Sequence, residues 1–310
     1  MTGHIPALSK PVIALLQPQP GAVVVDGTLG AGGHARLLLE AIQPGGRLLA
    51  LDRDPAAVAG GRVQLSGFEP PATVVRGDFG DLDHIARSHG FAEVDAVLFD
   101  LGISSVQLDD PARGFSFRGE GPLDMRMNPD DPVTAAQLAN QLPERELSDL
   151  IRRLGEERWA ARIASFIVKR RPLRTTRDLA GAVEAAVPRG AWPRDIHPAT
   201  RTFQALRMAV NDELGSLEKG LKSALSILTP GGRMAAISFH SLEDRTVKSF
   251  FIAESKDCLC PPQQPVCTCA HRASLRILTR RPVTPDEEEI RANPRARSAK
   301  LRVAERLSTP

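Results

Sequence analysis

Acidic side chains close or follow four apolar stretches in the first hundred residues. These acids are Asp26, Asp52, Asp78 and Asp100, and the stretches before them are rich in Val, Leu and Ala. An open parallel sheet binds its ligands at the carboxyl ends of its strands. Carboxylates gathered there suit a ligand that carries positive charge and hydroxyl groups. The spacing therefore predicts an acidic ligand site at one edge of a sheet.

A glycine-rich segment begins at the first of these acids. Asp26–His34 contains four glycines, which permit a sharp turn and let backbone N–H groups approach a ligand closely. With Asp52 further along, the glycine spacing also matches a dinucleotide fingerprint, so an NAD(P)-dependent oxidoreductase stays open. S-adenosylmethionine is favoured because Asp26 attracts an amine and a sulfonium but repels a pyrophosphate. An ordinary turn at a strand end is the alternative for each acid taken alone.

Further residues fit the same cofactor. Asp78 and Phe79 stand where a methyltransferase holds adenine by one polar and one apolar contact, and Asp100 stands beside the expected methyl group. His34, at the start of a predicted helix, either contacts the cofactor or makes a local bond at the helix terminus.

Asp100 is the candidate catalytic residue. The exocyclic amine of a nucleobase is a poor nucleophile, and a carboxylate that accepts its N–H would favour the emerging cation and help to remove the proton. Methylation at carbon 5 of a pyrimidine would need a cysteine nucleophile near this strand. All four cysteines lie between positions 258 and 269, so that mechanism is excluded.

A second polar segment, Ser238–Arg245, follows a later predicted strand. His240, Asp244 and Arg245 suit the orientation of a base or a phosphate, and His240 is a second catalytic candidate. A capped helix start, with Ser241 as N-cap and Asp244 completing the local bonding, is equally consistent with the sequence.

The four cysteines form two Cys-x-Cys pairs, Cys258 with Cys260 and Cys267 with Cys269. Four thiols so close in sequence suit tetrahedral zinc, although a two-residue spacer is more usual within a pair. Metal binding stays open at this stage.

The elements that must position these residues alternate between strand and helix. A β-α-β-α rhythm predicts an α/β fold with a parallel, doubly wound sheet. The predicted strands are 22–26, 47–52, 73–76, 94–100, 234–239, 275–279 and 300–304. The predicted helices of the same region are 35–42, 56–65, 81–88 and a single long helix, 200–228, that ends at Pro230-Gly231-Gly232.

The middle of the chain has a different pattern. Residues 109–128 predict a long loop, and 134–207 predict helices, one of them opened by a capping box of Thr134 and Gln137. We therefore expect a discontinuous sheet domain, 1–108 with 208–310, that is split by a loop and helical insertion, 109–207.

The composition sets broad limits. The chain has 310 residues, 25% charged residues and a net charge of +3, which permits an RNA partner without requiring one. No apolar run approaches the roughly 18 residues needed to span a bilayer, and the first residues resemble neither a signal nor a transit peptide. We expect a soluble cytoplasmic protein without a membrane partner. The oligomeric state stays open, with a homodimer as one option.

The longer motifs resemble those of the MraW family of ribosomal RNA methyltransferases. The matching stretches, which run from about His4 to Leu301, are Asp26–His34, Leu51–Pro55, Phe99–Ser105 with Gln107, Arg113–Phe117, Gly121–Met127, His197–Arg207 and Ser238–Arg245. The segment after Pro6 departs from the family by being less apolar.

The resemblance implies a Rossmann-like class I S-adenosylmethionine-dependent methyltransferase sheet with an inserted helical domain. It implies methylation of the N4 amine of a cytidine in the decoding centre of 16S rRNA, at the P site of the small ribosomal subunit. It also implies cofactor contacts from a defined set of residues: Gly32, Gly33, His34, Asp52, Phe79, Asp100 and Gln107. A non-catalytic RNA-binding assembly factor that keeps the fold is the alternative of another class.

The insertion is the expected RNA-binding part. Its loop offers Arg113 and Arg126 for phosphates and Phe115 and Phe117 as exposed rings for base stacking; an ordinary loop packed by its Phe residues is the alternative. With Ser238, Asp244 and Arg245 they complete the predicted substrate site. Basic residues of the predicted helices either extend the RNA-binding surface or form an ordinary solvated helix face. These residues are Arg152, Arg153, Lys169, Arg170, Arg171, Arg174 and Arg177.

Overall fold

The computed structural model describes residues 6–261, 263–264 and 266–308. The chain forms two compact units, one of Met1–Gly102 with Leu214–Pro310 and one of Ile103–Glu213. The sequence predicts the boundaries between the two units at 108/109 and 207/208. Both predicted boundaries lie six residues inside the second unit. The first five and last two residues of the predicted sheet domain, including His4, lie outside the described residues.

A seven-stranded sheet forms the centre of the first unit, with the order β3-β2-β1-β4-β5-β7-β6. The strands β1 to β5 are parallel, and β7 is antiparallel to both β5 and β6. The expectation of a parallel sheet is therefore correct for β1 to β5 and wrong for β7. The strand β6 runs in the same direction as β1 to β5 but pairs with the antiparallel β7. The strand bounds are β1 Val23–Asp26, β2 Arg47–Asp52, β3 Thr73–Arg76, β4 Val94–Asp100, β5 Leu228–Ser238, β6 Leu275–Ile277 and β7 Lys300–Arg306.

Helices cover both faces of this sheet. One core contains Val24 and Leu98 with Leu38, and the other contains Val25 and Phe99. Because neighbouring residues of a strand point to opposite faces, each strand needs apolar residues almost throughout. The helices of the chain are α1 Ser9–Leu16, α2 Gly33–Ala41, α3 Pro55–Gln64, α4 Leu82–Ser88, α5 Ser105–Asp109, α6 Ala135–Gln141, α7 Glu144–Gly155, α8 Ala160–Lys169, α9 Thr176–Ala186, α10 Thr200–Val210, α11 Glu213–Ile227, α12 Ser241–Glu254 and α13 Glu287–Ala292.

The second unit holds α5 to α10 around its own apolar core. Capping boxes open three of these helices, at Ser104 with Gln107, at Thr134 with Gln137 and at Thr175 with Asp178. Each box satisfies N–H groups that a helix start otherwise leaves without partners. The capping box predicted at Thr134 is confirmed.

The single helix predicted over 200–228 is wrong. The chain forms α10 and α11 instead, and Asp212 between them has a positive φ of 45°. The Nδ2 of Asn211 donates to the carbonyl of Arg207 over 2.8 Å, which satisfies a carbonyl at the end of α10. Pro230-Gly231-Gly232 lies inside β5, where the register with β4 shifts between Val94 and Ala96, and forms a bulge rather than a loop before the strand. Among the described residues, no helix is long and apolar enough to cross a membrane.

Candidate active site at the carboxyl edge of the sheet

The glycine-rich turn after β1 is fixed by the acid at the end of β2. Asp52 Oδ2 accepts the backbone N–H of Gly30 over 2.8 Å, and Oδ1 accepts that of Asp54 over 2.8 Å. Gly30 and Gly32 both have positive φ, 51° and 77°, which a side chain would strain. Each carboxylate oxygen can accept a further hydrogen bond, and burial, chiefly, raises the pKa of Asp52.

Asp26 and Asp100 end the neighbouring strands β1 and β4. Asp26 is fully buried, and its Oδ1 accepts the backbone N–H of Thr28 over 3.0 Å. Asp26 Oδ2 and Asp100 Oδ1 are buried and have no hydrogen-bond partner among the described residues. Carboxylate oxygens in such positions raise the free energy of the charged form unless a cation compensates them.

The pKa values of both acids reflect this burial. Desolvation, chiefly, raises the pKa of Asp26 to about 7. Desolvation, followed by the charges of Asp26 and Glu243, raises the pKa of Asp100 to about 8. The Asp100 side chain keeps 26% of its surface exposed, so solvent moderates the second shift more than the first. Perturbed acids of this kind cluster at functional sites.

Thr28 and His34 bracket Asp100 from the glycine-rich segment. The Thr28 hydroxyl accepts the backbone N–H of Asp100 over 2.6 Å, so the turn after β1 holds the end of β4. His34 is 5% exposed, and its Nε2 lies 3.7 Å from Asp100 Oδ2. The structure therefore brings together His34 and Asp100, two residues that sequence reasoning placed at the cofactor.

The polar segment after β5 begins α12. The N-cap is His240, whose Nδ1 accepts the backbone N–H of Glu243 over 3.4 Å, and not Ser241 as predicted. Glu243 is 2% exposed; its Oε2 accepts the backbone N–H of Phe239 over 2.9 Å, and its Oε1 lies 3.2 Å from His240 Nε2. His240 thus caps the start of α12 and contacts the buried Glu243. The negative charge of Glu243 in turn raises the pKa of Asp100.

Asp244 is directed towards β7 rather than to an open surface. Its carboxylate accepts Arg302 Nε over 2.6 Å and lies 3.7 Å from Lys300 Nζ. Burial opposes this ionisation, but Arg302 and Lys300 outweigh it and lower the pKa of Asp244. Ser238 is 2% exposed, with its hydroxyl 3.4 Å from the carbonyl of Lys300, and Arg245 is exposed.

Phe79 follows β3 and packs against Phe99 with the ring centroids 5.4 Å apart. Asp78 before it is engaged within the protein: Oδ1 accepts the N–H of Gly80 over 2.8 Å, and Oδ2 contacts Arg53 and the hydroxyl of Ser216. The half-buried ring of Phe79 can therefore supply the apolar contact predicted for adenine. Asp78, predicted to supply the polar contact, instead stabilises the turn after β3.

Gln107 and the predicted substrate-binding residues of the loop lie in the second unit. Gln107 is 5% exposed, and its Oε1 accepts the N–H of Ser104 in the capping box of α5. Arg113 donates to the carbonyls of Arg126 and Met127, and Arg126 forms a two-bond ion pair with Asp124 at 2.8 and 2.7 Å. Both arginines hold the loop together.

The expectation of exposed rings in this loop is wrong. Phe115 is 6% exposed and belongs to the core of the helical unit. Phe117 is half-buried, with its ring 4.5 Å from that of His197 and 5.0 Å from that of Phe203. Phe115 is buried and Phe117 half-buried because helices distant in the sequence supply apolar partners for them, so the loop is packed by its Phe residues.

Sequence reasoning missed three residues that organise these sites. Thr28 and Glu243 stand inside quoted motifs but received no role, and Asn211 accepts the N–H of Met127 over 2.7 Å while donating to the carbonyl of Met125. A signal existed for Glu243 alone, since an acid three residues after an N-cap is a capping pattern. Thr28 and Asn211 act on residues about seventy or more positions away.

Comparison with known proteins identifies the family. The model of the MraW methylase family matches residues 1–307. A ribosomal RNA small subunit methyltransferase H from Geobacter sulfurreducens is 54% identical over 307 residues, 98% of this chain and 99% of that protein. The protein of the same name from Heliobacterium mobile is 51% identical over 308 residues, with 98% and 99% covered.

Solved structures resemble the chain more distantly. An rRNA methylase from Streptococcus thermophilus is 12% identical, with a TM-score of 0.42 over 97% of this chain and 94% of that chain; a likeness this low carries no inference. The match to the family model and the two relatives do support an inference. They cover almost the whole chain, and the relatives are about 50% identical to it. The chain belongs to the MraW methylase family, and it is a methyltransferase with a Rossmann-like sheet that uses S-adenosylmethionine.

Proposed function

We propose that this chain transfers a methyl group from S-adenosylmethionine to the N4 amine of a cytidine in 16S rRNA, at the P site of the small ribosomal subunit. Ribosomal RNA is the substrate class named for the relatives at about half identity. The chemical part of the proposal is supported by Asp26 and Asp100, two acids that end adjacent strands beside the glycine-rich turn. Each has a buried carboxylate oxygen without a hydrogen-bond partner among the described residues.

The residues present suit the cofactor. S-adenosylmethionine carries an ammonium and a sulfonium, and the partnerless oxygens of Asp26 and Asp100 are groups that a cation would neutralise. Asp52 retains acceptor capacity for ribose hydroxyls, and Phe79 offers an apolar face for adenine. We include Gly32, Gly33, His34 and Gln107 among the contacts because they belong to the motifs shared with the family.

The bound cofactor supplies an electrophilic methyl group. The role of Asp100 is to accept a hydrogen bond from the N4–H of cytosine, which raises electron density on the nitrogen and stabilises the positive charge that develops there. Asp100 acts as a carboxylate in this step. Its raised pKa in the free protein falls when a cation binds beside it, so the cofactor itself favours the reactive form.

His240 and Glu243 have a supporting role in this proposal. Glu243 adds negative charge near Asp100 and raises its pKa, which makes the Asp100 carboxylate, once ionised, a stronger hydrogen-bond acceptor. His240, capping α12 against Glu243, fixes where that charge lies. We assign His240 to positioning first and to direct catalysis second.

The helical unit supplies the RNA-binding surface in this proposal. Many of its exposed cations lie on and around α7, α8 and α9, among them Arg152, Arg153, Arg158, Arg162, Lys169, Arg170, Arg174 and Arg177. Two of them stack on partly buried rings, Arg158 over Trp159 at 5.5 Å and Arg162 over Phe166 at 5.5 Å. Arg171 is excluded from the set because, unlike these residues, it is half-buried, with its guanidinium donating to the carbonyls of Ala139 and Leu142.

Family membership disfavours the NAD(P)-dependent oxidoreductase that the glycine spacing alone left open. The assembly-factor alternative is separated by experiment. Small subunits that lack the modification are incubated with labelled S-adenosylmethionine and the protein, and the modified nucleoside is identified by mass spectrometry. We expect N4-methylcytidine from the wild type and at most a trace from Asp100→Asn.

The matched control is Glu93→Gln, which neutralises an exposed acid just before the amino end of β4 and should retain full transfer. Transfer of label to a different nucleoside would overturn the cytidine assignment. Cofactor binding with no transfer to any particle would support the assembly factor instead.

A further inference from the structure

All four cysteines lie in the segment between α12 and β6. They are free thiols, and the sulfur atoms of Cys258, Cys260, Cys267 and Cys269 all lie within 4.8 Å of one another. The proposed methyl-transfer chemistry does not involve this cluster. The cluster follows the carboxyl end of α12, whereas His240 caps the amino end of the same helix.

The distances between the sulfur atoms distinguish a metal site from disulfides. Cys258 Sγ lies 3.4 Å from Cys267 Sγ, Cys267 Sγ lies 3.6 Å from Cys269 Sγ, and Cys269 Sγ lies 3.8 Å from Cys258 Sγ. A disulfide needs about 2.05 Å. A tetrahedron with metal–sulfur bonds of about 2.3 Å has sulfur–sulfur edges of about 3.8 Å, and the observed separations are close to that value.

Backbone N–H groups point at the sulfurs, as they do where thiolates are stabilised. The N–H of Leu259 donates to Cys269 Sγ and that of Cys260 to Cys258 Sγ, both over 3.4 Å.

The segment has no apolar core of its own among its described residues. Among its described residues from 256 to 274 no side chain is buried, and Leu259 and Val266 are 49% and 69% exposed. A stretch of this length without a core normally depends on a disulfide or a metal ion. Its two ends are tied together, since Ser274 N–H donates to the carbonyl of Glu254 over 2.8 Å. Among the described residues of the tip the contacts are polar, with Gln264 Nε2 donating to the hydroxyl of Thr268 over 2.8 Å and to the carbonyl of Val266 over 3.0 Å.

We propose that Cys258, Cys260, Cys267 and Cys269 bind one structural Zn²⁺ as a tetrathiolate. Four thiolates complete a tetrahedral shell and leave no position for water or substrate, which is the arrangement of a structural rather than a catalytic site. Soft sulfur ligands in tetrahedral geometry select zinc over magnesium or calcium. The one-residue spacer in each pair makes a tighter chelate than the usual two-residue spacer.

The test uses the full-length protein, expressed with zinc, purified under reducing conditions without chelators and analysed for metal content. We expect one zinc per chain, released when a mercurial reagent titrates the four thiols. Cys258→Ser and Cys269→Ser should each lower the zinc content at least tenfold. Thr268→Val, which alters the residue between two ligands, should retain one zinc per chain.

A second measurement does not depend on the variants being folded. Wild-type protein loaded with Co²⁺ should show the intense thiolate charge-transfer and tetrahedral d–d absorption of four sulfur ligands, and chelation should make residues 256–274 sensitive to protease. Binding of S-adenosylmethionine reports whether each variant is folded. Zinc-free protein with disulfides, zinc kept by both Ser variants, or a Co²⁺ spectrum of oxygen ligands would each overturn the proposal.

Discussion

The backbone N–H of Asp100 donates to the hydroxyl of Thr28 over 2.6 Å. This bond joins the turn after β1 to the end of β4, so the loop expected to hold the cofactor and the acid expected to act on the substrate are positioned by one contact. Because the two residues are 72 positions apart, the relationship depends on strand order rather than on local sequence.

Replacement of Thr28 should therefore affect the chemical step. Thr28→Val keeps the shape but leaves the Asp100 N–H without its acceptor, which costs about 1–2 kcal/mol and should lower kcat about 5- to 30-fold. Thr28→Ser keeps the hydroxyl and should stay within about twofold of the wild type. The measurement is steady-state methyl transfer to small subunits; equal rates for the two variants would show that the bond does not position Asp100.

The rate should depend on pH through Asp100. Its carboxylate is the reactive form and burial raises its pKa to about 8 in the free protein, so kcat/KM should fall as the pH drops below about 8. In kcat at saturating cofactor the midpoint should move to lower pH, because a neighbouring cation favours the carboxylate. Asp100→Asn should reduce kcat by about 10²- to 10³-fold and abolish this pH limb.

The check is a pH–rate profile of wild type and variant with the same particles. Glu93→Gln serves as the control and should reproduce the wild-type profile. If the loss of rate at low pH persists in Asp100→Asn, a residue other than Asp100 is responsible for it.

Buried parallel strands were the most predictable elements. The bounds of β2, β3 and β4 agree with those predicted, because strands covered on both faces need a continuous apolar run that stands out in the sequence. The acids that end β1, β2 and β4 were predictable for the same reason, since each marks where that run stops. The grouping of Asp26 and Asp100 followed from the strand order once β1 was placed between β2 and β4.

Features that depend on distant partners were not predictable. The break between α10 and α11 occurs at a residue with positive φ that no glycine or proline marks. Phe115 and Phe117 sit in a stretch rich in glycine, and only the helices around them decide that they are buried. His240 as an N-cap was missed because Ser241 is the commoner capping residue.

Asp26 should make the free protein less stable as the pH rises. The unfolded chain loses this proton near pH 3.8 and the folded chain near pH 7. Between these values the folded state binds more protons, so the free energy of unfolding falls as the pH rises. Asp26→Asn has no proton to lose and should exceed the wild type in stability at pH 8, by at most about 4 kcal/mol.

The same variant should bind S-adenosylmethionine about 10- to 100-fold more weakly, since a neutral amide attracts a cation less than a carboxylate does. Urea unfolding at pH 5 and pH 8 measures the first effect, and calorimetric titration measures the second. A stability difference between variant and wild type that does not change between the two pH values would contradict the raised pKa of Asp26. Unchanged cofactor affinity would remove Asp26 from the cofactor site.

Exposed arginines of the helical unit should govern affinity for RNA without affecting the cofactor. Arg152 and Arg153 lie exposed near the end of α7, where each can neutralise a phosphate and release a counterion. Arg152→Ala with Arg153→Ala should weaken binding of small subunits about 5- to 20-fold and reduce the slope of log K against log salt by about 1–2. The Kd for S-adenosylmethionine should stay the same. Arg36→Ala is the control, since it removes an exposed arginine paired with Glu40 on α2; an equal loss from this variant would mean that RNA affinity follows net charge rather than a surface on the helical unit.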